Sequence, residues 1–260
     1  MNPEPCCPED CCPAGCCQSK VAEMSESIGR RALAEFIGTA FLVVAVIGSG
    51  IAASRLSPRD IGLELFENAA ATGAALVGII LAVGPVSGAH VNPIITLLDR
   101  VFGGIATNDA LAYIGAQLAG GVVGACIANV MFGLPAFQLS THTRGGGGLW
   151  LGEVVATFGL ALVVFGVVRS GRVGVAPFAV GAYISAAYFF TSSTSFANPA
   201  VTIARTLSNT FAGIRPSSAP LFVAFQLVGA ATATAALRAL YPDAGKIAPQ
   251  VVVPHEGNGV

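Results

Sequence analysis

Two related stretches decide the fold: Ser87-Gly88-Ala89-His90-Val91-Asn92-Pro93-Ile94 in the first half of the chain, and Thr194-Ser195-Phe196-Ala197-Asn198-Pro199-Ala200 in the second. Each follows an apolar segment and precedes a short helical pattern. Asn is a favoured N-cap and Pro a favoured first helical residue, so both stretches indicate helix starts. A single Asn-Pro is typical of an ordinary cap or turn. Two copies after uncharged segments predict a pair of short helices that begin inside a membrane.

The rest of the sequence is dominated by long apolar blocks. Hydrophobic residues make up 54% of the 260 residues and charged residues only 10%, whereas a soluble domain carries about 25% charged residues. A transmembrane helix needs about 20 mostly apolar residues, and six blocks satisfy this: Ala32–Ala53, Asn68–Gly88, Ala110–Thr143, Leu149–Val168, Val173–Ala204 and Ser217–Leu237. The net charge of −1 gives no electrostatic reason to expect nucleic acid as a partner. The sequence therefore predicts a protein that spans the lipid bilayer six times.

The two halves of the chain repeat each other. Glu35 and Thr39 open the first half in a Glu-x-x-x-Thr pattern, and Glu153 and Thr157 open the second. Three spans per half give the halves opposite orientations, and such inverted repeats place the permeation site near the bilayer midplane. The two short helices then meet there with their positive N-terminal ends, which oppose cations and protons but admit neutral solutes. The Asn side-chain amides would donate hydrogen bonds to a passing hydroxyl.

The basic residues and the composition predict sidedness and boundaries. Eight Lys and Arg residues fall on the side of the N-terminus and five on the other, so the positive-inside rule puts both termini in the cytoplasm. We expect a Cys-rich tail at 1–27, a channel domain at 28–241 and a mobile tail at 242–260. The predicted location is the inner (plasma) membrane.

These motifs resemble those of the major intrinsic protein family, the aquaporins and glycerol facilitators, over residues 28–241. The first pore motif is Asn92-Pro93-Ile94, with Ile where the family usually has Ala, and the second is Asn198-Pro199-Ala200. The resemblance implies an all-α membrane fold of six transmembrane helices and two re-entrant half-helices. It also implies a homotetramer with one pore per subunit, and no cofactor.

The selectivity filter departs from the family pattern. In most members an Arg directly follows the second motif, whereas Val201 stands here. The other filter positions that the family pattern implies are Thr72, Ala186 and Ser195. Together these four residues predict a roomy, weakly polar aperture without a guanidinium. Arg205 lies one helical turn beyond Val201, and we expect it to pair with a loop group or solvent.

Such a filter predicts a passive channel for small uncharged solutes, namely water, glycerol-sized polyols, and arsenous acid or methylated arsenicals. The chain most resembles bacterial aquaporin-like channels that are encoded with arsenic-resistance genes and lack the filter Arg. The alternative is a proton-coupled secondary transporter that uses Glu35 or Glu153. We favour a buried structural role for both glutamates near the cytoplasmic ends of their spans, where each accepts backbone N–H groups of the adjacent half-helix loop. His90 is expected to line or brace the cytoplasmic half of the pore.

Two further sets of residues carry predictions. Three vicinal cysteine pairs in the N-terminal tail favour binding of a thiophilic metal or metalloid, although incidental or acylated cysteines are the alternative; the pairs are Cys6-Cys7, Cys11-Cys12 and Cys16-Cys17. Close helix approach is predicted at five small residues, which are Gly73, Gly78, Gly120, Gly121 and Gly124. No nucleophile–base pair or phosphate loop is evident, so an enzyme is not expected.

Overall fold

The computed structural model describes residues 26–241. Within that range the chain forms eight α-helices: α1 (Ile28–Leu56), α2 (Ile61–Ser87), α3 (Pro93–Phe102), α4 (Thr107–Met131), α5 (Gly147–Arg169), α6 (Ala176–Phe190), α7 (Pro199–Ala204) and α8 (Ala219–Leu240). A 3-10 turn, Val173–Val175, precedes α6 and another, Arg205–Leu207, follows α7. Six of these described helices, with α6 extended by its preceding turn, are long and apolar enough to cross a membrane. The prediction of six spans plus two short re-entrant helices is confirmed.

The half-helices α3 and α7 each return to the face on which the preceding helix ended. We call the face on which α1 begins the inner face and the opposite one the outer face. From the midplane, α3 runs toward the inner face and α7 toward the outer face. Neither half-helix has the length of a span, because α3 has 10 residues and α7 has 6. Each therefore ends part-way through the bilayer and leaves its first turn beside the centre of the protein.

Small residues allow α1 and α4 to pack backbone against backbone. A Cβ atom at Gly120 would overlap the carbonyl oxygen of Phe36, and one at Gly124 would overlap that of Ala40. Gly73 and Gly121 also lie in close contacts, so four of the five predicted glycines are at tight helix approaches. Gly78 is not, since a Cβ there would have no neighbour within 4 Å.

This difference gives a matched pair of variants. Gly124→Ala is expected to lower the free energy of unfolding by about 1–3 kcal/mol, because its Cβ atom would overlap the Ala40 carbonyl and force the two helices apart. Gly78→Ala should leave it unchanged or slightly higher, because Ala has the better helix propensity. Thermal unfolding in detergent, followed by circular dichroism, measures both. Equal stability of the two variants would contradict the close approach of α1 and α4.

Candidate functional site

The tips of the two half-helices meet at the centre of the protein. The side chain of Asn92 caps α3 by accepting from the N–H of Ile94 at 2.9 Å, and that of Asn198 caps α7 by accepting from Ala200 at 3.0 Å. Each amide nitrogen crosses to the other half. Asn92 Nδ2 donates to the Ala197 carbonyl at 2.8 Å, and Asn198 Nδ2 donates to the Val91 carbonyl at 2.8 Å. These two reciprocal bonds join the half-helices tip to tip.

The loop before each tip is strained and is held by a buried glutamate. Val91 and Ala197 have φ values of 39° and 45°, a left-handed conformation that is costly for residues other than glycine. Glu35 accepts from the N–H groups of His90 and Val91 at 2.9 and 2.6 Å. Glu153 accepts from those of Phe196 and Ala197 at 3.0 and 2.9 Å. Glu35 therefore fixes Val91, whose carbonyl accepts from Asn198. Glu153 likewise fixes Ala197, whose carbonyl accepts from Asn92.

In both halves a glutamine and a threonine extend the hydrogen-bond network of the buried glutamate. Gln117 donates to Glu35 at 2.7 Å and to Thr96 at 3.0 Å. Gln226 donates to Glu153 at 2.6 Å and to Thr202 at 2.9 Å. The glutamate, glutamine, threonine and loop N–H groups correspond in the two networks, as an inverted repeat requires, and Glu35 accepts a further bond, from Ser87.

The expectation that both glutamates lie near the cytoplasmic ends of their spans is wrong, because they lie toward opposite faces. Glu153 lies near the start of α5, and α5 begins on the outer face. Three crossings separate the two glutamates, and an odd number of crossings reverses the direction of the helix. Glu35 braces the loop that enters from the inner face, and Glu153 the loop that enters from the outer face.

An elongated cavity runs beside the joined tips. Its polar wall includes both asparagines, and its wider lining is mainly aliphatic. The polar lining residues are Thr72, His90, Asn92, Tyr188, Ser195, Asn198 and Arg205, and the apolar ones include Leu42, Val46, Leu76, Ile80, Leu160 and Val164. Neither buried glutamate belongs to the described residues that line this cavity. The arrangement is a narrow, low-dielectric passage with hydrogen-bond donors at its midpoint.

Each end of the cavity carries an aromatic ring beside a buried charge. At the inner end, His90 Nε2 lies 3.6 Å from a carboxylate oxygen of Asp99, and its ring meets Tyr113 edge to face at 5.3 Å. At the outer end, the guanidinium of Arg205 lies 3.5 Å from the ring centroid of Phe196. That of Arg144 lies 5.4 Å from the same centroid. Burial lowers the pKa of the Arg144 guanidinium below its ordinary value.

Comparison with known proteins identifies the family. The family model for the major intrinsic protein matches residues 22–197. Aquaglyceroporin AqpS of Rhizobium meliloti (strain 1021) is 47% identical over 218 residues, which cover 84% of this chain and 93% of that protein. The chain belongs to the major intrinsic protein family. It is therefore a membrane channel for water and small neutral solutes and not an enzyme.

Other relatives agree with this membership. Aquaporin TIP1-1 of Arabidopsis thaliana is 35% identical over 60% of this chain and 66% of its own length. Aquaporin NIP1-3 of Oryza sativa subsp. japonica is 34% identical over 69% of this chain and 64% of its own length. The solved structure of the aquaglyceroporin from Plasmodium falciparum has the same fold, with a TM-score of 0.65 and 20% identity over 84% of this chain and 99% of that one.

The structure places three of the four predicted filter residues in the cavity wall. Thr72, Ser195 and Val201 line the cavity, and each is almost fully buried. Ala186 does not, because its side chain lies on the exposed side of α6. Its assignment to the filter is wrong. Ile184 and Tyr188, two residues to either side, line the cavity instead, and Tyr188 donates to Thr72 Oγ1 at 3.3 Å.

The expectation that Arg205 pairs with a loop group is confirmed, because its Nε donates to the loop carbonyl of Ala212, but the solvent alternative is wrong. Only 2% of Arg205 is exposed, and its side chain lines the cavity rather than facing solvent. Arg205 therefore adds a guanidinium to the cavity wall, whereas Val201 occupies the position where most of the family has Arg. Sequence reasoning likewise missed Tyr188, Phe196, Arg144 and Asp99. The register of the repeat held a signal for Asp99 and Arg205, since each lies seven residues after its motif Asn.

The six tail cysteines lie outside the described residues. Within residues 26–241, no group of three or more His, Cys, Asp or Glu side chains is placed to hold a metal ion. Cys126, a free cysteine in α4, is partly buried.

Proposed function

We propose that the chain is a passive channel for solutes larger than water, and that glycerol-sized polyols and arsenous acid are among them. The observation that carries this proposal is Val201, a short aliphatic side chain in the cavity wall where most of the family places an arginine. A second support is the name of the aquaglyceroporin relative, which covers most of this chain at 47% identity. Arsenous acid is uncharged at neutral pH and resembles a polyol in shape.

The joined tips explain why such solutes must be neutral. Two helix N-termini converge on the cavity, and their partial positive charges raise the energy of any cation there. Each Asn amide has two N–H groups and uses one on the opposite loop. The second N–H remains for a solute hydroxyl, so a neutral polyol can exchange its hydration for donors of the protein.

The contacts of the glutamates argue against a proton-coupled transporter. In Glu35 and in Glu153 one oxygen accepts from a loop N–H group, and the other accepts from a loop N–H group and a glutamine. Both side chains are fully buried and lie behind the cavity wall. A coupling carboxylate must meet the transported proton, and these two carboxylates are occupied in holding the loops.

We further propose a homotetramer in the inner (plasma) membrane, with both termini in the cytoplasm. We propose that residues 28–241 form the channel, that residues 1–27 form an N-terminal tail and that residues 242–260 form a C-terminal tail. The cysteines of the first tail are proposed to bind a thiophilic metal or metalloid, because clustered thiolates are soft ligands.

Stopped-flow measurements on proteoliposomes test the solute range. We expect water, glycerol and arsenous acid to permeate faster than through protein-free vesicles, with flux linear in the gradient. Flux should be independent of a proton gradient, because no ionisable group has to change its charge as a neutral solute passes. Urea measures tolerance for a solute without hydroxyls.

The possible results separate the alternatives. Water flux without glycerol or arsenous acid flux would overturn the proposed solute range. Saturating flux that requires a proton gradient would instead support the transporter.

A further inference from the structure

Arg205 is a buried cation that the passive-channel proposal does not require. It is 98% buried, yet it lines the cavity on the outer side of Val201. Its Nε donates to the Ala212 carbonyl. Among residues 26–241, its two terminal nitrogens make no hydrogen bond. Because a buried guanidinium is stable only when its donors are used, these nitrogens are available to whatever occupies the cavity.

The surrounding residues hold the guanidinium in one place. Its plane lies against Phe196, whose ring is fixed by Phe222 at 5.0 Å in an edge-to-face contact. Arg144 donates to the Phe211 and Gly213 carbonyls at 3.1 and 2.9 Å. Three consecutive carbonyls, of residues 211 to 213, thus accept hydrogen bonds from two arginines, and the terminal nitrogens of Arg205 are not among the donors.

A second polar group lies in the same part of the wall. Ser195 is 3% exposed and lines the cavity, and its Oγ has no hydrogen-bond partner within the described part of the chain. Buried hydroxyls without partners are uncommon. Arg205 and Ser195 are thus two cavity-lining residues whose polar atoms are not all used within the described part of the chain.

The inverted repeat indicates that this placement is built into the fold. In the inner half, the residue seven after the motif Asn is Asp99, which is 1% exposed and contacts the ring of His90. In the outer half the equivalent residue is Arg205, and the equivalent ring is Phe196. Both halves direct a buried charge against the ring that precedes the motif, and only the outer half supplies a cationic donor.

We propose that Arg205 is a specificity-determining residue of the outer pore, and that it binds the hydroxyl oxygens of polyhydroxylated neutral solutes through its two terminal nitrogens. Ser195 Oγ completes the site. This inference rests on the proposed passage of polyols and names the group that selects them. A site with buried donors favours solutes that satisfy them and rejects analogues that lack a hydroxyl.

The test compares glycerol with 1,3-propanediol, which has one hydroxyl fewer and a similar carbon chain. In Arg205→Gln and Arg205→Lys channels, the ratio of glycerol to diol permeability should fall about threefold or more. Flux through protein-free vesicles is subtracted first. Gln loses the planar fork and the charge, while Lys keeps only a point charge. Arg215→Gln is the matched control, since it removes an exposed cation from the outer face and should leave the ratio unchanged.

The direction of the change decides the inference. If Arg205 acted only by narrowing the pore, its replacement would favour the larger glycerol and the ratio would rise. A ratio that rises or stays constant in both folded variants overturns the inference while the proposed function stands. Failure of the unaltered protein to pass glycerol would instead overturn the proposed function. Size-exclusion chromatography confirms that each variant is folded.

Discussion

Glu35→Gln is expected to abolish most water flux per inserted channel and to lower the free energy of unfolding by about 2 kcal/mol or more. Glu35 accepts from four donors: Ser87 Oγ, His90 N, Val91 N and Gln117 Nε2. The two oxygens of a carboxylate accept all four bonds, whereas the amide of Gln has an NH2 group, which is a donor, in place of one of those oxygens. Two of the four donors would then face an NH2 group inside the protein.

The loss of hydrogen bonds to Glu35 affects the pore through the backbone of Val91. The left-handed conformation of Val91 persists because its N–H is bound at 2.6 Å. If that bond fails, the Val91 carbonyl turns away, and Asn198 loses its 2.8 Å contact across the midplane. The half-helix tips would then separate and narrow or close the cavity beside them.

The control for this prediction is Glu67→Gln. Glu67 also lies in a spanning helix, but it is only partly buried and accepts a hydrogen bond from the Ser57 hydroxyl at 2.8 Å. It should keep near-normal flux, measured by stopped-flow light scattering and normalised to channel density. Normal flux and stability of the Glu35 variant would contradict the bracing role. Normal passive flux together with loss of a proton-driven uptake would support the coupled transporter instead.

The fold was predictable because its decisive signals are local. An Asn-Pro start and the length of an uncharged segment are properties of neighbouring residues, and they predicted both half-helices and all six spans. The bracing contacts of Glu35 followed from its position in the repeat. The side of the membrane on which Glu153 lies needed only a correct count of crossings.

The wall of the outer pore was not predictable in the same way. Ala186 and Tyr188 differ by two residues on one helix, so a small shift in the loop at 191–197 exchanges an outward-facing side chain for a lining one. Arg205 was expected to pair with a loop group or solvent, because it lies one helical turn beyond Val201. Its burial depends on Phe196 and on the carbonyl of Ala212, and no local pattern brings these groups together.

The matching networks in the two halves also explain how the pore tolerates changes at its motif. Ile94 replaces the usual Ala of the first motif, yet its N–H still caps against Asn92, and its side chain is fully buried. The cap uses only the backbone of that residue. The side chain can therefore vary with the packing, while Asn92 and Pro93 set the geometry of the tip.

Val201→Arg is expected to lower glycerol permeability about tenfold or more and water permeability much less. Val201 lines the cavity at 4% exposure, one turn from Arg205. The longer Arg side chain at this position would occupy part of the cavity that the solute uses. Where it also presses against the packed wall, overpacking costs on the order of 1–3 kcal/mol. The new guanidinium would also face Arg205 at the i, i+4 spacing, where like charges repel. Stopped-flow shrinkage and re-swelling give both permeabilities on the same vesicles.

Val201→Leu separates the effect of volume from that of charge. Leu adds one methylene and no donor, so it should reduce glycerol flux modestly and leave water flux nearly unchanged. If Val201→Arg lowered the water and glycerol permeabilities by the same factor, Val201 would not set the size of the aperture. An equal loss of both permeabilities is what misfolding of some of the channels would produce. If Arg left both unchanged, the new side chain would lie outside the path, and Tyr188 with Arg205 would remain as the groups that limit solute size at the outer end.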